Sequence, residues 1–395
     1  MKKFLSLFIL HYLRFFARLQ IAKIKLLNPR LKIVGITGSA GKTSTINACE
    51  AVLKPQFQVK TTAGSNSESG IPLNILGIKV SGYSPIHWLK YILLAPISLI
   101  ANWHIYDIYL VEMGIDGPIE PKNMAYLLKI IHPDIGIFLN VSSVHLQNFS
   151  FLDDIAREKA KLVNTAATAI INSADPLVKK YSQNPRQINI IPQIINIPHT
   201  ALPETFGVTF GAAIALASLF DIPKSQAINR LQTNFHLSPG RSSLFEGINH
   251  STLIDSSYNS SPLATAGMLQ LLSTFPHPRI AVLGDMRELG SATVTEHQKI
   301  YRLALKSADQ IITVGQNFNS QTNFKYWWQA AAYLKTNLPT NSTVLLKGSQ
   351  NNIFLEELVK ALLQHPSDSS KLCRQSPYWL NLKQKFKSLH PDNQP

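Results

Sequence analysis

The sequence predicts two α/β domains in tandem, each built on a mainly parallel sheet with helices on both faces. Three observations predict it. Apolar runs of strand length alternate with helical patterns along most of the chain. The first such run, residues 32–36 (KIVGI), feeds straight into a glycine loop. Around Ser238-Pro239-Gly240-Arg241 the alternation starts again, as a second domain requires. Strand–helix alternation of this kind is how parallel sheets are wound.

Taken in order, 32–36 reads as a buried strand and the segment after Lys42 as a helix. Residues 108–112 (IYLVE) and 135–140 (IGIFLN) are further strands, each ending in a polar residue. Residues 153–163 read as a helix, 169–172 as a strand and 210–220 as a helix. Beyond the restart, 251–255, 279–283, 310–314 and 343–346 read as four strands with helices between them. Ligands of such sheets gather beyond the C-terminal strand ends, and the loops carrying Gly38, Glu112 and Asn140 lie there. The expected division is an N-terminal amphipathic helix over 1–30, a central domain over 31–235, a C-terminal domain over 236–370 and a loosely packed tail over 371–395.

Composition narrows the functional classes. Hydrophobic residues make up 45% of the chain, enough for real cores. The two cysteines, Cys49 and Cys373, fit neither a disulfide framework nor a zinc site, and a reducing cytoplasm is the expected home. The net charge of +15 calls for an anionic partner. The basic residues are dispersed and no zinc-finger or aromatic RNA-binding pattern occurs, so nucleic acid is not expected.

Two greasy segments stand apart. Over residues 1–27, His11, Arg14, Arg18 and Lys25 form a polar stripe on an otherwise apolar helix. Such a helix either lies on a membrane surface or packs its apolar face on the protein. Residues 86–101 are apolar but interrupted by Lys90 and Pro96, too short a run for a membrane span. A peripheral contact of both segments with the inner face of the cell membrane is the expectation.

The sharpest local signal is Thr37-Gly38-Ser39-Ala40-Gly41-Lys42-Thr43-Ser44. Small residues let backbone N–H groups close around phosphate oxygens, Lys42 supplies a point charge, and the Thr43 hydroxyl is placed for Mg²⁺. The generic pattern wants glycine where Ile36 stands, so the match is to a shorter TGxxGKT form. A chance glycine turn is the bland alternative; the strand before, the helix after and the Lys-Thr pair argue against it.

GITGSAGKTST resembles the nucleotide loop of the Mur ligases, a family to which folylpolyglutamate synthase is related. The resemblance implies a phosphate-loop central domain followed by a Rossmann-like C-terminal domain. It also implies the chemistry: ATP phosphorylates a carboxylate and an amine attacks the acyl phosphate, which needs positioning and charge neutralisation above all. Val111-Glu112-Met113-Gly114 resembles the family's second motif, whose glutamate binds Mg²⁺. NVSSVHLQNF (140–149) resembles the third, with His145 at the metal-associated histidine. Lys159 aligns with a lysine that several members carry as a carbamate formed with CO₂; Lys161, two positions on, is the rival assignment. The implied catalytic set is Lys42, Glu112, His145 and Lys159, with Thr43, Glu112, His145 and Lys159 holding two Mg²⁺ ions.

The second half resembles the branch that adds a D-alanyl-D-alanine dipeptide to an anionic cell-wall precursor in peptidoglycan synthesis. LGDMRELG (283–290) matches that branch's LGDMxELG, with His297 at the usual distance. DSSYNSSP (255–262) resembles DDSYNANP, LKGS (346–349) its KGS turn, and Pro239-Gly240-Arg241 its arginine segment. NSESGIPLNIL (66–76) resembles the stretch after the first helix. These matches imply that Gly38–Ser44, Arg241 and Ser256 hold ATP, and that Asn259, Asp285, Glu288, Lys347 and Ser349 meet the substrates. Three positions depart from the pattern. Ser256 stands for an aspartate that holds the ribose, Gln350 for an arginine, and Phe206-Gly207-Val208-Thr209-Phe210 for the adenine-reading HNxxN segment. Phe210 is expected to stack on adenine without reading its edge, so a raised KM for ATP is expected rather than lost chemistry. The early position of the phosphate loop resembles a compact form without the N-terminal UDP-gripping domain, and a lipid-linked acceptor would suit the greasy segments. Another amino-acid ligase of the family, or a nucleotide-binding membrane scaffold, are the alternatives.

Overall fold

A computed structural model describes residues 2–62, 65–143, 148–348 and 352–391. They fall into two compact units: residues up to 141, 148–195 and 206–236 in the first, and 142–143, 196–205 and 237 onward in the second.

The strands of the first unit are β1 (Lys32–Thr37), β2 (Val59–Thr61), β3 (Ile108–Glu112), β4 (Ile135–Phe138), β5 (Thr168–Ile171) and β6 (Gln187–Asn189). They form one sheet in the order β2-β3-β1-β4-β5-β6, and every pairing is parallel. Its helices are α1 (Lys2–Leu27), α2 (Lys42–Leu53), α3 (Gly70–Leu76), α4 (Pro85–Ala101), α5 (Met124–Ile130), α6 (Leu152–Thr165), α7 (Pro176–Tyr181), α8 (Phe206–Ser218) and α9 (Lys224–Asn234). β1 runs KIVGIT with five of six residues buried, which is the pattern of a central strand covered on both faces. It lies between β3 and β4, where the strand order reverses and an open α/β sheet leaves a crevice at its C-terminal edge. The register places Glu112 opposite Ile36 and Phe138 opposite Thr37, so three loops leave the sheet side by side.

Gly35 in β1 sets the position of α6. A Cβ there would stand 2.7 Å from Leu162 and 2.9 Å from the Met113 sulfur. Without it, Leu162 packs directly on the strand. Lys159 lies one turn earlier on the same helix face.

α1 buries Leu10, Leu13, Ala17, Gln20, Ile21 and Ile24, a stripe at helical spacing. This face packs on the protein: Leu13 shares a cluster with Leu73 and Leu76 of α3 and Tyr91 and Ala95 of α4. Each fully buried Leu contributes roughly 1.5–3 kcal/mol, so α1 is part of the unit. Its opposite face, with Phe8 and Phe15, is exposed. Among the described residues no helix is long and apolar enough to cross a membrane.

The second unit has strands β7 (Ser243–Gly247), β8 (Ser251–Ser256), β9 (Arg279–Gly284), β10 (Gln310–Val314), β11 (Asn323–Phe324) and β12 (Thr343–Lys347), ordered β11-β10-β9-β12-β8-β7. Only the pairing of β7 with β8 is antiparallel. Its helices are α10 (Pro262–Leu272), α11 (Thr293–Ser307), α12 (Trp327–Asn337), α13 (Leu355–Leu362) and α14 (Pro377–Leu389). Side chains alternate across the strands. Val344 and Leu346 join the core under α12 and α13, and Leu345 joins the core under α10 and α11. The expected loose tail instead contains α14. Lys383 on it is only 4% exposed and donates to Glu357 Oε1 (2.7 Å) and Arg374 O (2.9 Å). Its ammonium also lies 2.9 Å from Glu356 Oε1, and Glu356 pairs with Arg374 at 3.1 Å.

Candidate active site

The site of the first unit is assembled at the C-terminal edge of β3, β1 and β4. β1 ends at Thr37, the loop follows, and α2 starts at Lys42. Gly41 makes that entry possible: its φ of +84° is a left-handed conformation that other residues resist. The N-cap residue Gly41 supplies no side-chain cap to α2. N–H groups at the positive end of a helix form a natural anion site.

Asn140, two residues past β4, clamps the loop. Its Oδ1 accepts from Ala40 N (2.9 Å), its Nδ2 donates to Ala40 O (3.1 Å), and its carbonyl accepts from Ser39 N (3.0 Å). Lys42 Nζ donates to Gly38 O at 3.0 Å. Lys159 Nζ reaches the same carbonyl from α6 at 3.2 Å. Lys159 is 1% exposed. Burial, and the nearby Lys42 charge, hold its pKa well below the ordinary lysine value, opposed by Asp116 and Glu112. Lys161 points elsewhere: it is half-exposed and paired with Glu158. Glu158 in turn accepts from Met124 N at the start of α5. The geometry therefore separates two lysines that spacing leaves as rivals.

Thr43 Oγ1 donates to Glu112 Oε2 at 2.9 Å, and Asn66 Nδ2 donates to Glu112 Oε1 at 3.1 Å. Thr62 Oγ1 accepts from Glu112 N at 3.1 Å. Glu112 is 3% exposed, so its carboxylate is held by neighbours rather than by water. Ser44 is buried in the first turn of α2. Among the described residues no three His, Cys, Asp or Glu side chains gather as a metal cluster. The hydroxyl–carboxylate pair of Thr43 and Glu112 fits Mg²⁺, which binds few protein oxygens and keeps water and phosphate for the rest of its shell. His145, Ser349 and Gln350 lie outside the described residues.

In the second unit, Ser256 ends β8 and Lys347 ends the adjacent β12. Lys347 Nζ donates to Ser256 O (3.3 Å) and to Asn259 O. Burial, with the Arg241 charge adding to it, lowers the Lys347 pKa to about 7, while Asp255 opposes the shift. Burial pushes the Asp255 carboxyl up to about 6. The Arg241 guanidinium lies 4.5 Å from the Tyr258 ring centroid, and Asn259 is exposed beside it.

Two expectations change, one in each unit. Asp285 is occupied by the loop after β10: its carboxylate accepts from Gln316 N, Asn317 N and Asn317 Nδ2 at 2.8–3.0 Å. His297 Nε2 accepts from Met286 N (2.9 Å), and its Nδ1 faces Thr293 O (2.7 Å). The LGDMRELG stretch thus leaves the end of β9 as a loop pinned at Asp285 and Met286, with Glu288 exposed upon it. Phe210 is 1% exposed on α8, edge-on to Phe235 at 5.2 Å. It is a core residue of its own unit, so the expected stacking face is already covered. Thr62 joins the site without any signal in the sequence, and although Asn66 and Asn140 open two of the matched segments, nothing there marks their clamping roles. They act on backbone or through Glu112, and no spacing rule marks such roles.

Residues 36–191 match the Mur ligase middle domain, and residues 240–350 match the Mur ligase glutamate ligase domain. The chain belongs to the Mur ligase family. Within it, the chain is similar to the UDP-N-acetylmuramoyl-tripeptide--D-alanyl-D-alanine ligase of Synechocystis sp., 28% identical over 369 residues that cover 84% of this chain and 75% of that protein. Against the Bacillus subtilis protein of the same name the identity is 24% over 393 residues, covering 88% and 79%. The fold is that of MurF from Acinetobacter baumannii (TM-score 0.72, 21% identity, 89% of this chain and 80% of that one). It is equally that of the MurF ligase from Thermotoga maritima solved with ADP (TM-score 0.71, 20% identity, 89% and 83%).

Proposed function

We propose that this chain is an ATP-dependent ligase that joins D-alanyl-D-alanine to the peptide carboxylate of a muramoyl-tripeptide precursor, through an acyl phosphate. The observation that carries the reading is the meeting of Lys42, Thr43, Glu112 and Lys159 around one loop at the sheet's C-terminal edge. Backbone N–H groups of Gly38–Ser44 and the Lys42 ammonium hold the ATP phosphates. Thr43 and Glu112 hold one Mg²⁺, and His145 with a carbamylated Lys159 holds a second. The ions, when bound, neutralise charge on the transferring phosphoryl group. A lysine whose pKa is depressed offers a neutral amine, which attacks the carbon of CO₂ and sheds a proton to become a carbamate anion. The precursor carboxylate attacks the γ-phosphorus and releases ADP; the dipeptide amine then displaces phosphate from the acyl carbon.

In the second unit Arg241, Ser256 and Lys347 serve nucleotide and substrate, and Asn259, Glu288 and Ser349 the dipeptide. Asp285 acts by holding the loop that follows β10. The reading includes a cytoplasmic enzyme with peripheral contact of residues 1–27 and 86–101 at the inner membrane face. ADP release tests it. Turnover is expected to require both peptide substrates and to fall at least about a hundredfold in Lys42→Met. ADP release that ignores the peptides, or survives that substitution, refutes the proposal.

A further inference from the structure

We infer that α4, braced by α1, is a docking ridge that lies in the plane of an anionic lipid surface. This deepens the membrane contact proposed above and rests on it. α4 buries only Tyr91 and Ala95. On the other side Ile86, Leu89, Leu93, Ile97 and Ile100 are 58–78% exposed. At 3.6 residues per turn these five fall within an arc of about 80°. A stripe this narrow and this apolar has no partner among the described residues, and Trp103, 62% exposed, stands just past its C-terminal end.

α1 runs beside it. Tyr12 donates to Ile92 O at 3.2 Å, and Lys23 donates to Leu99 O and to Asn102 O. Lys23 also sits 4.6 Å over the Trp103 ring. Phe8, Phe15, Leu19 and Leu26 give α1 a second exposed apolar line.

The charge pattern selects the occupant. Residues 1–49 and 69–106 contain no Asp or Glu. Arg18, Lys25, Lys79 and Lys90 are exposed on or next to the two helices. An apolar stripe with a tryptophan at its end, and cations that make no ion pair among the described residues, match the boundary between acyl chains and anionic headgroups. A second copy of the chain would bring the same cations against themselves.

Flotation of the full chain with phosphatidylcholine vesicles, with and without phosphatidylglycerol, tests this. The chain is expected to float with the anionic vesicles. Leu89→Glu/Leu93→Glu is expected to lower partition at least about tenfold, with unchanged thermal midpoint and unchanged ligation of soluble substrates. Leu305→Glu, an exposed apolar position of the second unit, is the control and is expected to float as the parent does. Absence of flotation, equal flotation of the double variant, or loss in the control overturns the inference. So does light scattering that shows a dimer which the double variant splits while vesicles go unbound. Ligation measured on the same preparations distinguishes failure of the ridge from failure of the enzyme.

Discussion

Asn140→Ala is the most informative single substitution in the phosphate loop. The side chain holds Ala40 by two hydrogen bonds, at 2.9 and 3.1 Å. Each contributes about 0.5–1.5 kcal/mol net. Ala40 is half-exposed, so water can satisfy the freed groups and no buried penalty is added. The loop then loses about 1–3 kcal/mol of preorganisation, which is about 5- to 150-fold in nucleotide affinity. The bond from Ser39 N to Asn140 O is made by the backbone and survives. Ground state and transition state lose the same support, so KM for ATP is expected to rise by that factor while kcat changes less than about threefold. Steady-state ADP release over a range of ATP concentrations, with nucleotide titration of the free enzyme, measures both. A KM within about twofold of the parent refutes the clamping role of Asn140. A collapse of kcat at unchanged KM refutes it too, since it would place Asn140 in the chemistry.

Lys159→Ala is expected to lower turnover at least about a hundredfold with no recovery on adding bicarbonate, whereas Lys161→Ala stays within a few-fold. The parent, depleted of CO₂, is expected to regain activity when bicarbonate returns, and unchanged turnover in Lys159→Ala excludes the carbamate. Lys383→Met leaves Glu357 without its cation and Glu356 with one of two. It is expected to cost about 3 kcal/mol and to lower the thermal midpoint of the second unit by roughly 6–12 °C. A drop below about 2 °C would mean that α14 is as loosely held as the sequence predicts.

The central strands are legible in the sequence because they are buried on both faces and read as continuous apolar runs. Residues 108–112 coincide with β3, buried throughout, and 310–314 with β10, buried over its last three residues. The edge strands are not. β2 has three residues, β6 reads QIN, and β11 has two; each exists because a neighbour offers an unpaired edge, which no local pattern records. β7 is legible only once β8 is known, since it pairs antiparallel along it. Lys42, Thr43 and Glu112 can be located from strand–loop–helix order, because their chemistry is set by where β1 and β3 end. Lys159 and Lys161 lie on one helix two positions apart, and only the packing of Leu162 onto Gly35 decides which faces the loop. Asp285 and His297 show the converse: the motif is plain in sequence, yet its side chains are spent on holding a loop. Likewise α1 reads as amphipathic, but sequence periodicity alone does not say that its Leu13–Ile24 face is covered while its Phe8–Phe15 face is bare.

Activation of a carboxylate by phosphorylation is the step on which the proposed ligation depends. A muramoyl-tripeptide whose terminal carboxylate carries heavy oxygen, supplied with ATP and D-alanyl-D-alanine, reports that step by mass spectrometry. The expected product is heavier than the labelled tripeptide by the dipeptide less one heavy-oxygen water, and the heavy oxygen lost appears in the released phosphate. Phosphate that carries no label, or ATP hydrolysis without the amide product, would contradict it.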